Sequence, residues 1–314
     1  MQVGSKANPE EATSKMKNQI KTLLLLGVLS VVLISIGAAL GKGFILGALV
    51  LSLAMNLGAY FYSDKLVLRM HGAQEVSPQE APGLHRMVEE LSQRAGIPKP
   101  RVFLMNEAQP NAFATGRNPE HGVVAVTAGI LEVLDERELR GVLAHELAHI
   151  KNRDILVSTI AAAVASAVTY LAHAVGMFGS MFLGRDEDEG EGLSPLQVLA
   201  LALVAPIAAT LIQMGISRSR EYLADQSGGE ISGDPEALAS ALRKLEAGAM
   251  ALPVEGRPAT ASLFIVSPFA GMQSILSLFS THPRTEERVR RLHEQASRLP
   301  ATRGWSGSAL PFAR

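Results

Sequence analysis

The chain contains no cysteine, so a disulfide framework and a cysteine-based zinc site are both excluded. Any bound metal must therefore be held by His, Asp or Glu. Charged residues are also few, at 19% of 314 residues, while hydrophobic residues reach 47% and the mean hydropathy is positive. This composition is typical of a membrane protein with a polar domain. The formal net charge of −1 gives no reason to expect a nucleic-acid partner.

Four long apolar runs account for the hydrophobic excess, and each is long enough to cross a hydrocarbon core, which takes roughly 20 residues. They cover residues 20–40, 44–62, 155–184 and 196–216. The first run could be a cleaved signal peptide, but its apolar core is longer than usual and a second run follows at once. The last two could form a buried hairpin of a soluble protein, but they almost lack charge. We therefore predict two transmembrane hairpins with four spans.

Basic residues beside these runs predict the orientation in the membrane. They lie on one side of every run, at Lys15, Lys17, Lys21, Lys65, Arg69, Lys151, Arg153, Arg218 and Arg220. The opposite side has only Lys42 and Arg185. By the positive-inside rule, both termini and the polar domain are cytoplasmic. The chain is thus predicted to be a multi-pass protein of the cell (inner or plasma) membrane, with the lipid bilayer as a partner.

The segment before the third run carries the pattern H-E-x-x-H, as His145-Glu-Leu-Ala-His149. Residues four apart lie on one face of an α-helix, so both imidazoles can bind one Zn²⁺, and Glu146 can reach a water on it. Asp135 and Glu138 are predicted to start this helix as a capping box. The helix is expected to continue into the third run without a break. Taken alone, the pattern could also be two solvated histidines on an amphipathic helix.

The polar regions of the chain are predicted to form an α+β, zincin-like catalytic domain that the second hairpin divides into two segments. The predicted order is a disordered polar tail (1–18), the first hairpin (19–62), the first catalytic segment (63–154), the second hairpin (155–216), the second catalytic segment (217–300) and a tail (301–314). Within the first catalytic segment, the expected elements are a helix over 82–95, strands over 101–105, 111–115 and 122–127, and a short helix over 129–134.

A third metal ligand is expected, because a catalytic zinc site usually has three protein ligands and an open position. Glu221 follows the second hairpin directly, and a hairpin returns the chain to the side that it left. Glu221 is therefore predicted to begin a helix beside the end of the motif helix. Asp225, four residues on, shares its face and could accept the N–H of a ligand histidine. Taken alone, Glu221 could instead pair with a surface arginine.

Five segments carry a family resemblance: His145-Glu-Leu-Ala-His149, Lys151-Asn-Arg-Asp154, Arg220-Glu-Tyr-Leu-Ala-Asp225, Pro110-Asn-Ala-Phe-Ala-Thr-Gly116 and Thr281-His-Pro283. Together with the hydropathy pattern over residues 20–295, they resemble the HtpX family of membrane-bound zinc metalloproteases, relatives of the CAAX prenyl proteases. The resemblance implies one zinc ion per chain, bound by His145, His149 and Glu221, with Glu146 as general base. It also implies a cytoplasmic active site and a role in membrane-protein quality control.

The resemblance further implies roles for residues around the ligands. Within the matching segments, Asn152, Asp154, Arg220 and Asp225 are expected to support the ligands through hydrogen bonds. His282 is expected near the cleft, where an imidazolium could stabilise an oxyanion in catalysis.

The predicted reaction is metal-assisted peptide hydrolysis. The substrate, a polypeptide and expected to be a membrane protein, would lie along Asn111, Ala112 and Phe113 and pair through backbone hydrogen bonds. The alternative is a non-hydrolytic membrane scaffold or chaperone with a structural zinc, and Glu146 argues against it because a structural site needs no base. A transporter using buried histidines is disfavoured, since no carboxylate lies inside any span. Residues 251–280 fit either core and loop or a flap over the cleft.

Overall fold

The computed structural model describes residues 9–40, 43, 45–165, 218–251, 265 and 283–298, which form α-helices around one small β-sheet. The helices are α1 (Pro9–Leu40), α2 (Ile45–Met70), α3 (Pro82–Ala95), α4 (Ala128–Val133), α5 (Glu136–Lys151), α6 (Ile155–Ala165), α7 (Arg218–Ser232), α8 (Pro235–Ala251) and α9 (Thr285–Arg298). The strands are β1 (Gln74–Glu75), β2 (Arg101–Met105), β3 (Ala112–Thr115) and β4 (Val123–Thr127), with a 3₁₀ turn at Pro119–His121.

The sheet has the strand order β1-β2-β4-β3, which places β3 at one edge of the described sheet. β2 and β4 are parallel, whereas β3 is antiparallel to β4. Strands β2 to β4 and helices α3 and α4 confirm the elements predicted between residues 82 and 134, and β1 is an additional short strand. One face of the sheet packs against α3 and α5, and the other against the ends of α2 and α6.

Helix α5 begins as its sequence predicts and lies at the centre of the domain. Asp135 accepts a hydrogen bond from the Glu138 N–H, and Glu138 accepts one from the Asp135 N–H, so the predicted capping box is confirmed. Gly141 allows α8 to approach, because a Cβ at this position would lie 2.8 Å from the backbone nitrogen of Leu238. Most residues between 138 and 150 are buried.

The predicted continuation of α5 into the third apolar run is wrong. α5 ends at Lys151, Asn152 is its C-cap, and Arg153 has a φ of 58°, in the left-handed region. A new helix, α6, starts at Ile155. Because the chain turns here, Asp154 is brought back toward the last turn of α5, where its N–H donates to the carbonyl oxygen of His149 at 3.3 Å.

The predicted disordered tail over residues 1–18 is also wrong from Pro9 onward, where α1 begins. Pro9 fits the first position of a helix. Further along, α1 packs three buried leucines against α6: Leu25, Leu29 and Leu33.

Most of the exposed large hydrophobic side chains in the described residues belong to α2. Of the helices described, α2 is the one long and apolar enough to cross a membrane. It continues past the predicted run, which ended at Tyr62, as far as Met70, and its last turns pack Val67 and Leu68 against the sheet. Residues 166–217, which hold most of the predicted second hairpin, lie outside the described residues, as does the tail over 301–314.

Candidate active site

Helices α5 and α7 bring three possible metal ligands together. His145 and His149 lie on one face of α5, with their Nε2 atoms 3.2 Å apart. Glu221, in the first turn of α7, places carboxylate oxygens 3.9 Å from Nε2 of His145 and 3.7 Å from Nε2 of His149. α7 approaches this closely because residue 228 is glycine, where a Cβ would lie 2.9 Å from the backbone of His145. The three predicted ligands therefore form one cluster.

The ring of His145 is held from its far side by a buried ion pair. Oδ1 of Asp225 lies 3.0 Å from Nδ1 of His145. Arg288, from α9, donates one hydrogen bond to each carboxylate oxygen of Asp225, at 2.8 and 2.7 Å. Burial alone would raise the pKa of Asp225, but Arg288 outweighs it and lowers the pKa to about 2. The Asp225 carboxylate thus favours a proton on Nδ1 of His145, so Nε2, which lies 3.5 Å from Nη2 of Arg288, keeps the lone pair that a metal would need.

His149 has a similar partner, supplied by the turn after α5. Both carboxylate oxygens of Asp154 lie 3.1 Å from Nδ1 of His149, and Nε of Arg220 lies 3.7 Å from Asp154. The structure therefore brings Asp154 and Arg220, like Asp225, to the surroundings of the ligand histidines. Asn152 instead caps α5, and its buried Nδ2 has no hydrogen-bond partner within the described ranges.

Glu146 lies beside the ligand cluster and against the edge of the sheet. It is buried, and its Oε2 accepts a hydrogen bond from the backbone N–H of Ala114 in β3 at 2.7 Å. Burial raises the pKa of Glu146 to about 7, although His149 and the Ala114 N–H act in the opposite direction. A carboxyl group with a pKa near neutrality is suited to accept a proton and return it. Ala114 follows the three residues predicted to bind substrate and was not itself predicted.

The charges around the cluster fit a divalent cation. Four carboxylates and two guanidinium groups lie here, so the site carries two excess negative charges when the histidines are neutral; the groups are Glu146, Asp154, Glu221, Asp225, Arg220 and Arg288. Burial would lower the pKa of His149, yet the carboxylates, Asp154 first, raise it to about 10. The 3.2 Å between the two Nε2 atoms is also close to the about 3.3 Å expected for two nitrogen ligands of tetrahedral zinc.

The predicted substrate strand lies next to the cluster, but its three side chains make other contacts. Oδ1 of Asn111 accepts a hydrogen bond from the N–H of Ile265 at 3.3 Å. The Phe113 ring packs on the opposite face of the sheet, with the ends of α2 and α6. The Ala112 side chain belongs to the core shared with α5. The backbone is therefore what this strand offers to a ligand, and substrate binding by these three residues stays a prediction.

Comparisons with known proteins give the family of the chain. Residues 78–296 match the family described as Peptidase family M48. The chain belongs to this family. Curated relatives from Paraburkholderia phytofirmans and Ralstonia nicotianae, both named Protease HtpX homolog, are each 54% identical over 286 residues, covering 90% of this chain and 98% of the relative. The crystal structure of S. mikatae Ste24p matches with a TM-score of 0.46 and 18% identity, covering 90% of this chain and 67% of that one.

Membership of family M48 confirms the resemblance found in the sequence and the predicted class of activity. The M48 chain is a membrane-bound metalloprotease, and His145, His149 and Glu221 are the group of described residues that could hold its metal.

Arg288 is a residue of the M48 site that the sequence analysis missed. It is 1% exposed, and besides its pair with Asp225 it donates a hydrogen bond to the carbonyl oxygen of Ile265 at 2.7 Å. A signal was present, because the buried face of α9 consists of Thr285, Arg288, Val289 and Leu292. A charged residue on the apolar face of a helix usually has a buried partner. His282, the predicted oxyanion-stabilising residue, lies outside the described residues.

Proposed function

We propose that the chain is a zinc endopeptidase of the cell membrane that hydrolyses misfolded or misassembled membrane proteins. His145, His149 and Glu221 hold one zinc ion in this proposal. The observation that carries it is the position of Glu146, between the His-His-Glu cluster and an edge strand. A structural metal site has no need of a buried carboxyl group between its ligands and an edge strand. The arrangement therefore favours hydrolysis over a scaffold or chaperone with a structural zinc.

Glu146 carries the proton through the reaction. Zinc, when bound, supplies Lewis acidity, which polarises the scissile carbonyl and makes water more acidic. Glu146 takes a proton from the attacking water as the water oxygen bonds to the carbonyl carbon. The same carboxyl group then gives that proton to the nitrogen of the leaving amine as the C–N bond breaks, so Glu146 ends as it began. Asp225 and Asp154 keep the two histidine rings oriented throughout.

The substrate backbone is proposed to pair with β3. Asn111 accepts a hydrogen bond from the Thr127 N–H at 2.9 Å, so in this antiparallel ladder Ala112 and Ala114 direct their N–H and C=O groups away from β4. The bond from the Ala114 N–H to Glu146 agrees with this alternation. A polypeptide bound through such groups needs little specific sequence, because the contacts are with its backbone. This suits unfolded segments of many different proteins.

Four transmembrane helices and a cytoplasmic active site belong to the same proposal. Helix α2 supports it, since exposed apolar side chains cover its first two thirds. The aromatic residues Tyr60–Tyr62 come next, followed by Lys65 and Arg69. Aromatic and then basic residues are the order expected where a span meets the cytoplasmic interface.

The topology predicts which positions an external reagent can reach. A single cysteine at Gly190 should react with a membrane-impermeant maleimide added to intact cells, and one at Glu120 should react only after lysis. Each label reports one position because the chain has no native cysteine, and Glu120 is exposed, so burial does not protect it. Labelling of position 120 but not 190 in intact cells would overturn the proposed orientation.

The proposed reaction predicts that Glu146→Gln keeps its metal but loses hydrolysis, by about 100-fold or more, because an amide cannot accept the proton. Casein digestion by detergent-purified protein, together with metal content per chain, measures both properties. Glu132→Gln, at an exposed carboxylate on α4, is the matched control and should retain activity. Digestion by Glu146→Gln at the rate of the control would remove Glu146 from the mechanism.

A further inference from the structure

Two ring contacts link the region of strand β3 to helix α2 and indicate their relative direction. The Phe113 ring, in β3, lies 5.5 Å from the ring of His71, directly after α2. Arg117, just past β3, lies 5.9 Å over the ring of Phe61, earlier in α2. Phe61 and His71 are about 15 Å apart along a helix, and Phe113 and Arg117 are about 13 Å apart along an extended chain. The two lengths agree, so β3 runs antiparallel to α2.

Helix α6 also contacts the end of β3. Oγ1 of Thr115, the last residue of β3, lies 3.0 Å from Oγ1 of Thr159, which donates to the carbonyl oxygen of Ile155 at 2.6 Å. α6 starts at Ile155, directly after Asp154 of the ligand surroundings, and leads into the third apolar run. The end of β3 thus contacts α6 one turn away from the metal cluster, toward that run. The C-terminal end of β3 points toward the apolar segments, and its N-terminal end points away from them.

The position of the membrane rests on the proposed function, in which α2 crosses the bilayer. Tyr60–Tyr62 and Lys65, whose Nζ lies 5.2 Å over the Tyr62 ring, form a band typical of a membrane–water interface. Arg117 lies at the level of this band because it contacts Phe61. Ala114, three residues earlier, is then about 10 Å from the band. The proposed mechanism places the scissile bond opposite Ala114, because Glu146 accepts a hydrogen bond from the strand there.

A polypeptide that pairs with β3 can run in either of two directions. Ala112 faces outward and can exchange two hydrogen bonds with one residue of an antiparallel partner, and antiparallel pairing is slightly more stable per residue. The Ala114 N–H donates to Glu146, so at this residue the carbonyl oxygen is left to the partner, which pairs with β3 beside that carboxylate. An antiparallel partner has its N-terminal side at the membrane band and its C-terminal side beyond Ala112.

We propose that the protein selects membrane-anchored polypeptides whose anchor lies N-terminal to the scissile bond. Such a chain leaves the bilayer at the aromatic band and reaches the position opposite Ala114 after about 3 to 5 residues. A chain anchored on its C-terminal side passes Ala112, has to turn and must return along the whole strand. That path needs about 10 to 15 residues. The substrate class is therefore the cytoplasmic segment that closely follows a transmembrane span.

The test compares two orders of the same building blocks. A β-casein segment that the purified protein cleaves in solution is first mapped by mass spectrometry. It is then placed either after or before a poly-leucine transmembrane anchor, with linkers of about 5 and about 20 residues. Each substrate is co-reconstituted with the full-length protein in liposomes, and the fraction facing the active site is measured by cysteine labelling. Glu146→Gln serves as the blank.

With the short linker, cleavage should be at least about tenfold faster when the anchor precedes the segment. In the opposite order the short linker cannot reach from the membrane to the active site, so the effective concentration of the segment there is almost zero. With the long linker, the two rates should converge. Equal rates at the short linker, or faster cleavage with the anchor after the segment, would overturn the inference and leave the proposed hydrolysis intact. Cleavage of the free casein segment without cleavage of either anchored substrate would also overturn the inference. A failure to cleave even the free segment would overturn the proposed function itself.

Discussion

The two ligand histidines differ in which parts of the chain supply their supporting residues and in how far their side chains are exposed to solvent. The side chain of His145 is 1% exposed, and its supporting residues, Asp225 and Arg288, come from the distant helices α7 and α9. The side chain of His149 is 16% exposed, and its partner Asp154 lies only five residues further along the chain. We call these the His145 half and the His149 half of the site.

The difference implies that the His145 half is more costly to disturb. Arg288 and Asp225 are both almost fully buried and bonded to each other, so removal of one leaves the other charge buried without its main counter-charge. In the His149 half, Arg220 is 12% exposed and lies 3.7 Å from Asp154, so water can replace some of that interaction. Tertiary packing of α7 and α9 therefore positions the supporting residues of the His145 half, which is the drier half. The end of one helix positions those of the His149 half.

The largest effect is expected where the two halves meet, at Glu221. Its carboxylate lies within 4 Å of Nε2 of both histidines. Glu221→Ala should weaken metal binding by more than the about 10- to 100-fold typical of groups that only support ligands. Competition with a chelator measures the Kd, and peptide hydrolysis should fall in parallel. Full metal occupancy with an unchanged Kd would mean that the third ligand lies elsewhere, with Asp225 the next candidate.

The His149 half could be predicted from sequence because its determinants are local. The four-residue spacing of the histidines places them on one face, and the Asp135 capping box fixes where that helix begins. Even here the break after Lys151 was missed, since arginine at position 153 gives no sign of a left-handed turn. Residue propensity describes only what a segment favours on its own, and the turn that delivers Asp154 runs against it.

The His145 half was less accessible to sequence reasoning. Glu221 and Asp225 followed from the number of zinc ligands and from the return of a hairpin, not from any local pattern. Arg288 sits on the apolar face of α9, which indicates a buried anion without saying which one. The strands were also predicted in place, but the order that puts β3 at the edge depends on long-range pairing. Partners far apart in sequence are decided by packing, which residue patterns do not encode.

The dry half should be broken most clearly at Arg288. Arg288→Gln leaves the Asp225 carboxylate buried without its cation, so the free energy of unfolding should fall by about 3 to 5 kcal/mol. Metal affinity should fall by about 10- to 100-fold, because Asp225 no longer holds His145 firmly. Arg288→Lys keeps the charge but loses the paired hydrogen bonds and should lie between Arg288→Gln and wild type.

Arg290→Gln is the control for Arg288, since it lies on the same helix but is exposed and, among the described residues, pairs with Glu287 and Glu294 of α9. It should change the free energy of unfolding far less than Arg288→Gln does and leave the metal Kd unchanged. Thermal unfolding of the metal-free protein measures stability, and competition with a chelator measures the metal Kd, so the two properties are separated. If Arg288→Gln lowered stability but left the Kd at the control value, Arg288 would support only the packing of α9 and not the orientation of His145.

The smallest effect is expected in the wetter half, at Asp154. Asp154→Asn keeps an oxygen that can accept the Nδ1 proton of His149, and the nearby Arg220 stays partly hydrated. The metal Kd should therefore rise only about tenfold. Asp225→Asn makes the same chemical change in the dry half, but it leaves Arg288 with a neutral partner in a buried place, so its effect on both Kd and stability should be larger. Measuring both variants under one set of conditions compares the halves directly. A larger loss for Asp154→Asn would mean that burial does not decide the difference, and that proximity along the chain gives the His149 half the tighter hold on the metal.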